Sequence, residues 1–67
     1  MKSIIKICDM KSAKDISNIK NAISSNEGVI ACEVSLEKKE AQIIYNESYL
    51  SIESIIESIE SLGYTVI

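Results

Sequence analysis

Two apolar stripes at helical spacing, each flanked by runs in which apolar residues alternate, fix the order in which this chain can build its elements. From Ser3 to Cys8, Ile5 and Ile7 alternate with Lys6, the period-two signature of a half-buried strand. Between Ser12 and about Asn26, Ile16, Ile19, Ala22 and Ile23 recur at three- and four-residue intervals, while Lys14, Ser17, Lys20, Asn21 and Ser24 take the other side. That spacing predicts an amphipathic helix. Gly28 follows it and supplies the left-handed residue or tight turn needed to leave a helix.

Alternation resumes from Val29 to Leu36, with Cys32, Val34 and Leu36 inward and Glu33 and Ser35 outward. After the charged Glu37-Lys38-Lys39-Glu40, the residues Ala41, Ile43 and Tyr45 repeat the pattern, so the two runs predict a hairpin. Ser51 then reads as the N-cap of a second helix, with Ile52, Ile55, Ile56, Ile59 and Leu62 as its apolar stripe and Glu53, Glu57 and Glu60 on the wet side. Leu50 and Ile55 are spaced for a hydrophobic staple. Gly63 marks the stop, and Tyr64 to Ile67 reads as a fourth strand.

Strand, helix, two strands, helix, strand is the split βαβ order. Right-handed crossovers then place both helices on one face of a four-stranded antiparallel sheet, with expected strand order 4-1-3-2. The expected fold is therefore an α+β, ferredoxin-like βαββαβ sandwich formed as a single domain over residues 1–67.

Composition narrows the function classes. The core is aliphatic, because Phe and Trp are absent and Ile dominates. Ten acidic against seven basic residues give a net charge of −3, which argues against the basic face that nucleic acid or an anionic membrane requires. The first residues lack the apolar core of a signal peptide and no run reaches membrane length, so the expected location is cytoplasmic. Strand parity sends Cys8 and Cys32 to opposite faces of the sheet, and both are expected as free thiols. Histidine is absent, as are a Ser-His-Asp set, a glycine-rich phosphate loop and a pair of carboxylates in a predicted cleft. An enzyme is not expected.

Element lengths, Gly28-Val29 after the first helix, Leu36 before the hairpin, and the closing Leu62-Gly63-Tyr64-Thr65-Val66 together resemble a heavy-metal-associated domain. That family is the small module of copper chaperones and metal-pumping ATPases, and the resemblance runs along essentially the whole chain. Its motif, Met-x-Cys-x-x-Cys at the junction of the first strand and first helix, maps onto Met10, Ser12 and Asp15. Only the Met is retained, and Asp9 stands where the family usually has Gly. The resemblance implies an exposed loop at which two thiolates hold Cu(I) or Zn(II) and pass it to a facing domain by ligand exchange. It also implies a protein partner such as a metal-transporting ATPase or related domain, a Met10 packed inward beneath the loop, and a Tyr64 close to it.

Soft ions favour sulfur, whereas Ser12 and Asp15 offer oxygen. Ser-x-x-Asp is also a capping-box pattern, in which Asp15 opposes the dipole of the first helix. The expectation is therefore a module without the usual soft-metal site and without a metal cofactor, a monomer or weak homodimer that acts by docking or regulation. Lys11, Lys14 and Tyr64 are the docking candidates. The alternative is a copper or zinc carrier that binds weakly or unconventionally through Cys8, or through oxygens of Asp9, Ser12 and Asp15, with the Met10 thioether as a further weak candidate, either singly or as a dimer. A hard cation fits this loop poorly, since Ca²⁺ takes six to eight oxygens. Ile4, Cys8, Ile44 and Ile67 should share the open sheet face with Lys6, Gln42, Glu33 and Thr65, either as cross-strand pairs or as a docking surface.

Overall fold

The computed structural model describes residues 1–67, which form β1 (Lys2–Lys6), α1 (Ala13–Ser24), β2 (Val29–Ser35), β3 (Glu40–Tyr45) and α2 (Ile52–Glu60). β3 lies in the middle of an antiparallel sheet of order β1-β3-β2. The α+β sandwich with paired helices is therefore as expected, and the two central features of the 4-1-3-2 order are present.

The fourth strand is not. Tyr64 to Ile67 lies beside the end of β1, but its pairing contracts to one antiparallel bridge between Ile7 and Val66. Two backbone hydrogen bonds secure it, from Cys8 N to Thr65 O at 3.1 Å and from Ile67 N to Lys6 O at 3.0 Å. The reason is local. Gly63, at φ +98°, turns the chain back toward β1 where β1 is leaving the sheet for the loop before α1, so few residues face one another. The regular sheet has three strands rather than four.

Each helix buries the side that its spacing foretold. Ile19 and Ile23 of α1 and Ile55 and Ile59 of α2 are fully buried and meet Ile5, Ile7, Ala41, Ile43 and Tyr45 from the sheet. Burying an aliphatic side chain of this size contributes about 1.5–3 kcal/mol. This layer of isoleucines is consequently what holds a sheet of so few strands to its helices. Leu62 departs from the expected stripe. It follows α2 and is 49% exposed, because Ser61 already caps the helix.

Helix starts follow side-chain chemistry. Ser51 Oγ accepts from Ser54 N at 3.4 Å, and the half-buried Leu50 precedes it, with Ile55 buried one turn later. After α1, Gly28 has φ +103°, a conformation that a side chain would resist. A Cβ there would also come within 3.0 Å of Tyr49 Cβ. The hairpin between β2 and β3 closes through Lys39 at φ 54°, and Lys39 O accepts from Ile7 N at 2.9 Å. No helix is long and apolar enough to cross a membrane.

Candidate functional site

The site is built where β1 runs out. Strand alternation carries Ile7 into the core and turns Cys8 outward, after which Met10 swings in and is only 2% exposed. Met10 thus anchors the loop from beneath. Its thioether is buried among aliphatic side chains, which matches the inward packing implied by the resemblance. Lys11, Ser12 and Lys14 are exposed around this anchor.

Asp15 ties the loop together. Its Oδ2 accepts from Lys11 N at 2.8 Å and Ser12 N at 3.2 Å, and its Oδ1 accepts from the Tyr64 hydroxyl at 2.5 Å. Ser12 and Asp15 occupy the two positions of a capping box. The Ser12 hydroxyl itself closes no cap hydrogen bond of good geometry, since Asp15 N bonds to the Ser12 carbonyl at 3.1 Å. The carboxylate therefore does most of the capping. Tyr64 reaches it from the other end of the chain, so the loop, the start of α1 and the C-terminal segment share one acceptor.

Titration follows from that geometry. Donation by Tyr64 first, then by the Lys11 amide, holds the Asp15 carboxyl below its ordinary value. The same bond, with some desolvation, raises the Tyr64 phenol. A lowered carboxyl contributes stability that is present above about pH 4 and is lost as pH falls through the folded value; a raised phenol contributes stability that is present below about pH 10 and is lost as pH rises through its folded value. The contact therefore stabilises the fold between those limits. Tyr64→Phe is expected to move the Asp15 carboxyl titration upward toward the ordinary carboxylate range, as followed by NMR of the carboxyl carbon. An unmoved titration would show that Tyr64 does not hold the charge.

Cys8 stands next to this loop, exposed and unpaired. Its thiol donates to Asp9 Oδ1 at 2.8 Å and lies 3.7 Å from Thr65 O, while Thr65 Oγ1 donates to Asp9 Oδ2 at 3.4 Å. The hydrogen bond to Asp9, followed by desolvation and the Asp9 charge, pushes the Cys8 thiol up. Because the thiolate is the nucleophile and the metal ligand, Cys8 is held back at neutral pH. Asp9→Asn is accordingly expected to speed alkylation of Cys8 by iodoacetamide several-fold near pH 8. No acceleration would mean that Asp9 leaves the thiol unaffected.

The other thiol belongs elsewhere. Cys32 is partly buried on the helix side of the sheet, its Sγ 3.6 Å from Ser24 Oγ. Both cysteines are free and on opposite faces, as parity requires. The structure thus groups Cys8 with Asp9 and Thr65, and Asp15 with Ser12, Lys11 and Tyr64. It does not merge them, for no three His, Cys, Asp or Glu side chains are placed to hold a metal ion together. The long-range contacts of Asp15 with Tyr64 and of Cys8 with Thr65 were missed in the sequence, where only the position of Tyr64 near the loop hinted at the first.

Comparison with known proteins decides the lineage. The heavy-metal-associated domain profile matches residues 4–65, nearly the whole chain. The chain belongs to the heavy-metal-associated domain family. Among its relatives, the copper chaperone CopZ of Staphylococcus epidermidis is 32% identical over 63 residues, covering 94% of this chain and 93% of the relative. A solved CopZ metallochaperone superposes with a TM-score of 0.97 and complete coverage of both chains at 24% identity, a likeness of fold. The N-terminal domain of a potential copper-translocating P-type ATPase from Bacillus subtilis, solved in its Cu(I)-loaded state, gives 0.92 at 25% identity over 97% of this chain and 81% of that one.

These relatives correct one expectation. No metal cofactor was expected, with copper or zinc as the alternative, yet relatives of matching length are named copper chaperones and a structural neighbour is Cu(I)-loaded. Copper is the metal to which the family likeness points. At the family level the relatives are metal carriers and not enzymes.

Proposed function

We propose that this domain is a copper-trafficking module that docks through its β1–α1 loop and contributes one thiolate, Cys8, to a copper(I) ion whose other ligands come from a docked partner. The observation that carries this reading is the placement of Cys8, an exposed thiol at the mouth of the loop with its partner sulfur absent from Ser12 and Asp15. Copper(I) selects soft sulfur, and one thiolate alone grips it weakly. Firm binding then depends on a second protein that brings its own thiols.

A metal-transporting ATPase domain of the same fold fits that role, since such a domain is among the structural neighbours. The loop would meet it with Lys11 and Lys14 exposed on either side of Ser12. Copper must displace the proton that Cys8 shares with Asp9, so capture should strengthen as pH rises. Asp15 supports a docking and regulatory component of the same reading. Its hydrogen bonds order the loop without any ion, so that docking and copper handling are separable steps.

The test is an anaerobic Cu(I) titration against a competing chelator, run on the domain alone and with a thiol-bearing copper-ATPase domain. Alone, the chain is expected to lose copper to the chelator; with the partner, a complex of both proteins and one copper should form. Cys8→Ser should abolish the copper-dependent part of that complex and leave copper-free docking in place. Retention of the full copper-bridged complex by Cys8→Ser would overturn the reading.

A further inference from the structure

The sheet face turned away from the helices carries an arrangement that the loop does not use. Register places three rows across it: Lys2, Ile44 and Ala31; Ile4, Gln42 and Glu33; Lys6, Glu40 and Ser35. Lys6 and Glu40 answer each other, with Nζ 3.4 Å from Oε2. Lys2 on β1 and Glu33 on β2 have no ion-pair partner. They sit on the outer strands, so the unpaired positive charge lies on one edge strand and the unpaired negative charge on the other.

Shape adds to charge. A hollow of about 140 Å³ opens over the small side chain of Ala31, bordered by Lys2, Glu33, Gln42 and Ile44. Ile4 and Ile44 project beside it, 55% and 43% exposed. The face thus holds knobs, a depression and opposite charges on opposite edges, the requirements of a surface that fits itself.

We infer that this open sheet face binds a second copy of the chain about a two-fold axis that runs parallel to the strands. Such an axis lays β1 of one copy over β2 of the other. Lys2 and Lys6 then flank Glu33 of the second copy, while Ile44, Gln42 and Glu40 of the central strand each lie over their own counterparts, with the Glu40 charge answered by Lys6. An axis running across the strands would instead place β1 over β1 and Glu33 over Glu33. That arrangement is disfavoured, because Glu33 has no neutralising partner as Glu40 has in Lys6. Sheets stacked face to face at about 10 Å leave room for the isoleucines to interlock.

The block of three rows is far smaller than the roughly 800 Å² per partner of a stable complex. The pair is therefore expected to form only at high protein concentration. None of the residues it rests on belongs to the β1–α1 loop.

The experiment is an NMR dilution series from about 2 mM to about 20 µM, supported by sedimentation velocity. Concentration-dependent shifts are expected at Ile4, Ala31, Glu33 and Ile44, with the outer faces of α1 and α2 silent. Ile44→Asp should remove them while the domain stays folded. Glu33→Lys alone, or Lys2→Glu alone, should weaken association at least several-fold, and the two together should restore it. The inference is overturned if no shifts appear, if they map to the β1–α1 loop instead, or if the charge swap fails to restore association.

Discussion

Ser12→Cys combined with Asp15→Cys is expected to give this chain a copper(I) site held by one molecule, tighter than that of the natural sequence by orders of magnitude. Ser12 caps α1 and Asp15 lies in its first turn, so the substituted sulfurs would sit at the spacing of the family motif. Thiolates replace oxygens that hold a soft ion poorly. The exchange has a structural cost in the metal-free protein. Asp15 gives up the bonds from Lys11 N, Ser12 N and the Tyr64 hydroxyl, so the metal-free variant should melt below the natural chain. Copper should more than reverse this, since a ligand at 100 times its dissociation constant adds about 2.7 kcal/mol to the folded state. Chelator competition and thermal melting with and without Cu(I) check both halves. A folded double variant without tight binding would show that the loop geometry has drifted from the family's.

Ile43→Ala is expected to remove a large share of the total stability. Ile43 is fully buried on the central strand, opposite Ser3 on β1 and Cys32 on β2. Truncating a buried Ile costs about 2–5 kcal/mol, and a chain of this length is stable by about 3–10 kcal/mol in all. Urea unfolding should show the midpoint falling steeply relative to the natural chain. Its neighbour Ile44 points to the open face, and Ile44→Ala should change stability by no more than about 0.5 kcal/mol. Equal effects at the two positions would contradict the assignment of faces.

That contrast shows why so much of the fold is legible in one dimension. In β3 the strict alternation of Ala41, Ile43 and Tyr45 with Glu40, Gln42 and Ile44 assigns each residue a face before any partner strand is known. Helix spacing does the same for Ile19, Ile23, Ile55 and Ile59. The fourth strand was misread because alternation in Tyr64 to Ile67 says nothing about how many residues β1 has left to pair with. Glu40 shows the complementary limit: by parity it faces outward, yet it is buried to 9% exposure beside Lys6. At the site, the missing sulfurs and the inward Met10 were readable, whereas the expectation of no metal was corrected by relatives and not by any residue of this chain.

The amino-acid sequence by itself determined the elements, their order, the faces they bury and the oxygen donors of the loop, because periodicity and capping act between residues within one or two turns of each other. Tertiary structure alone decided that Tyr64 bonds Asp15 across 49 positions, that Cys8 lies by Thr65 across 57, and that the last strand shrinks to one bridge. Those outcomes depend on where the C-terminal segment returns to the sheet. That return is set by packing of α2 and the turn at Gly63, which bring together groups whose local patterns carry no information about each other.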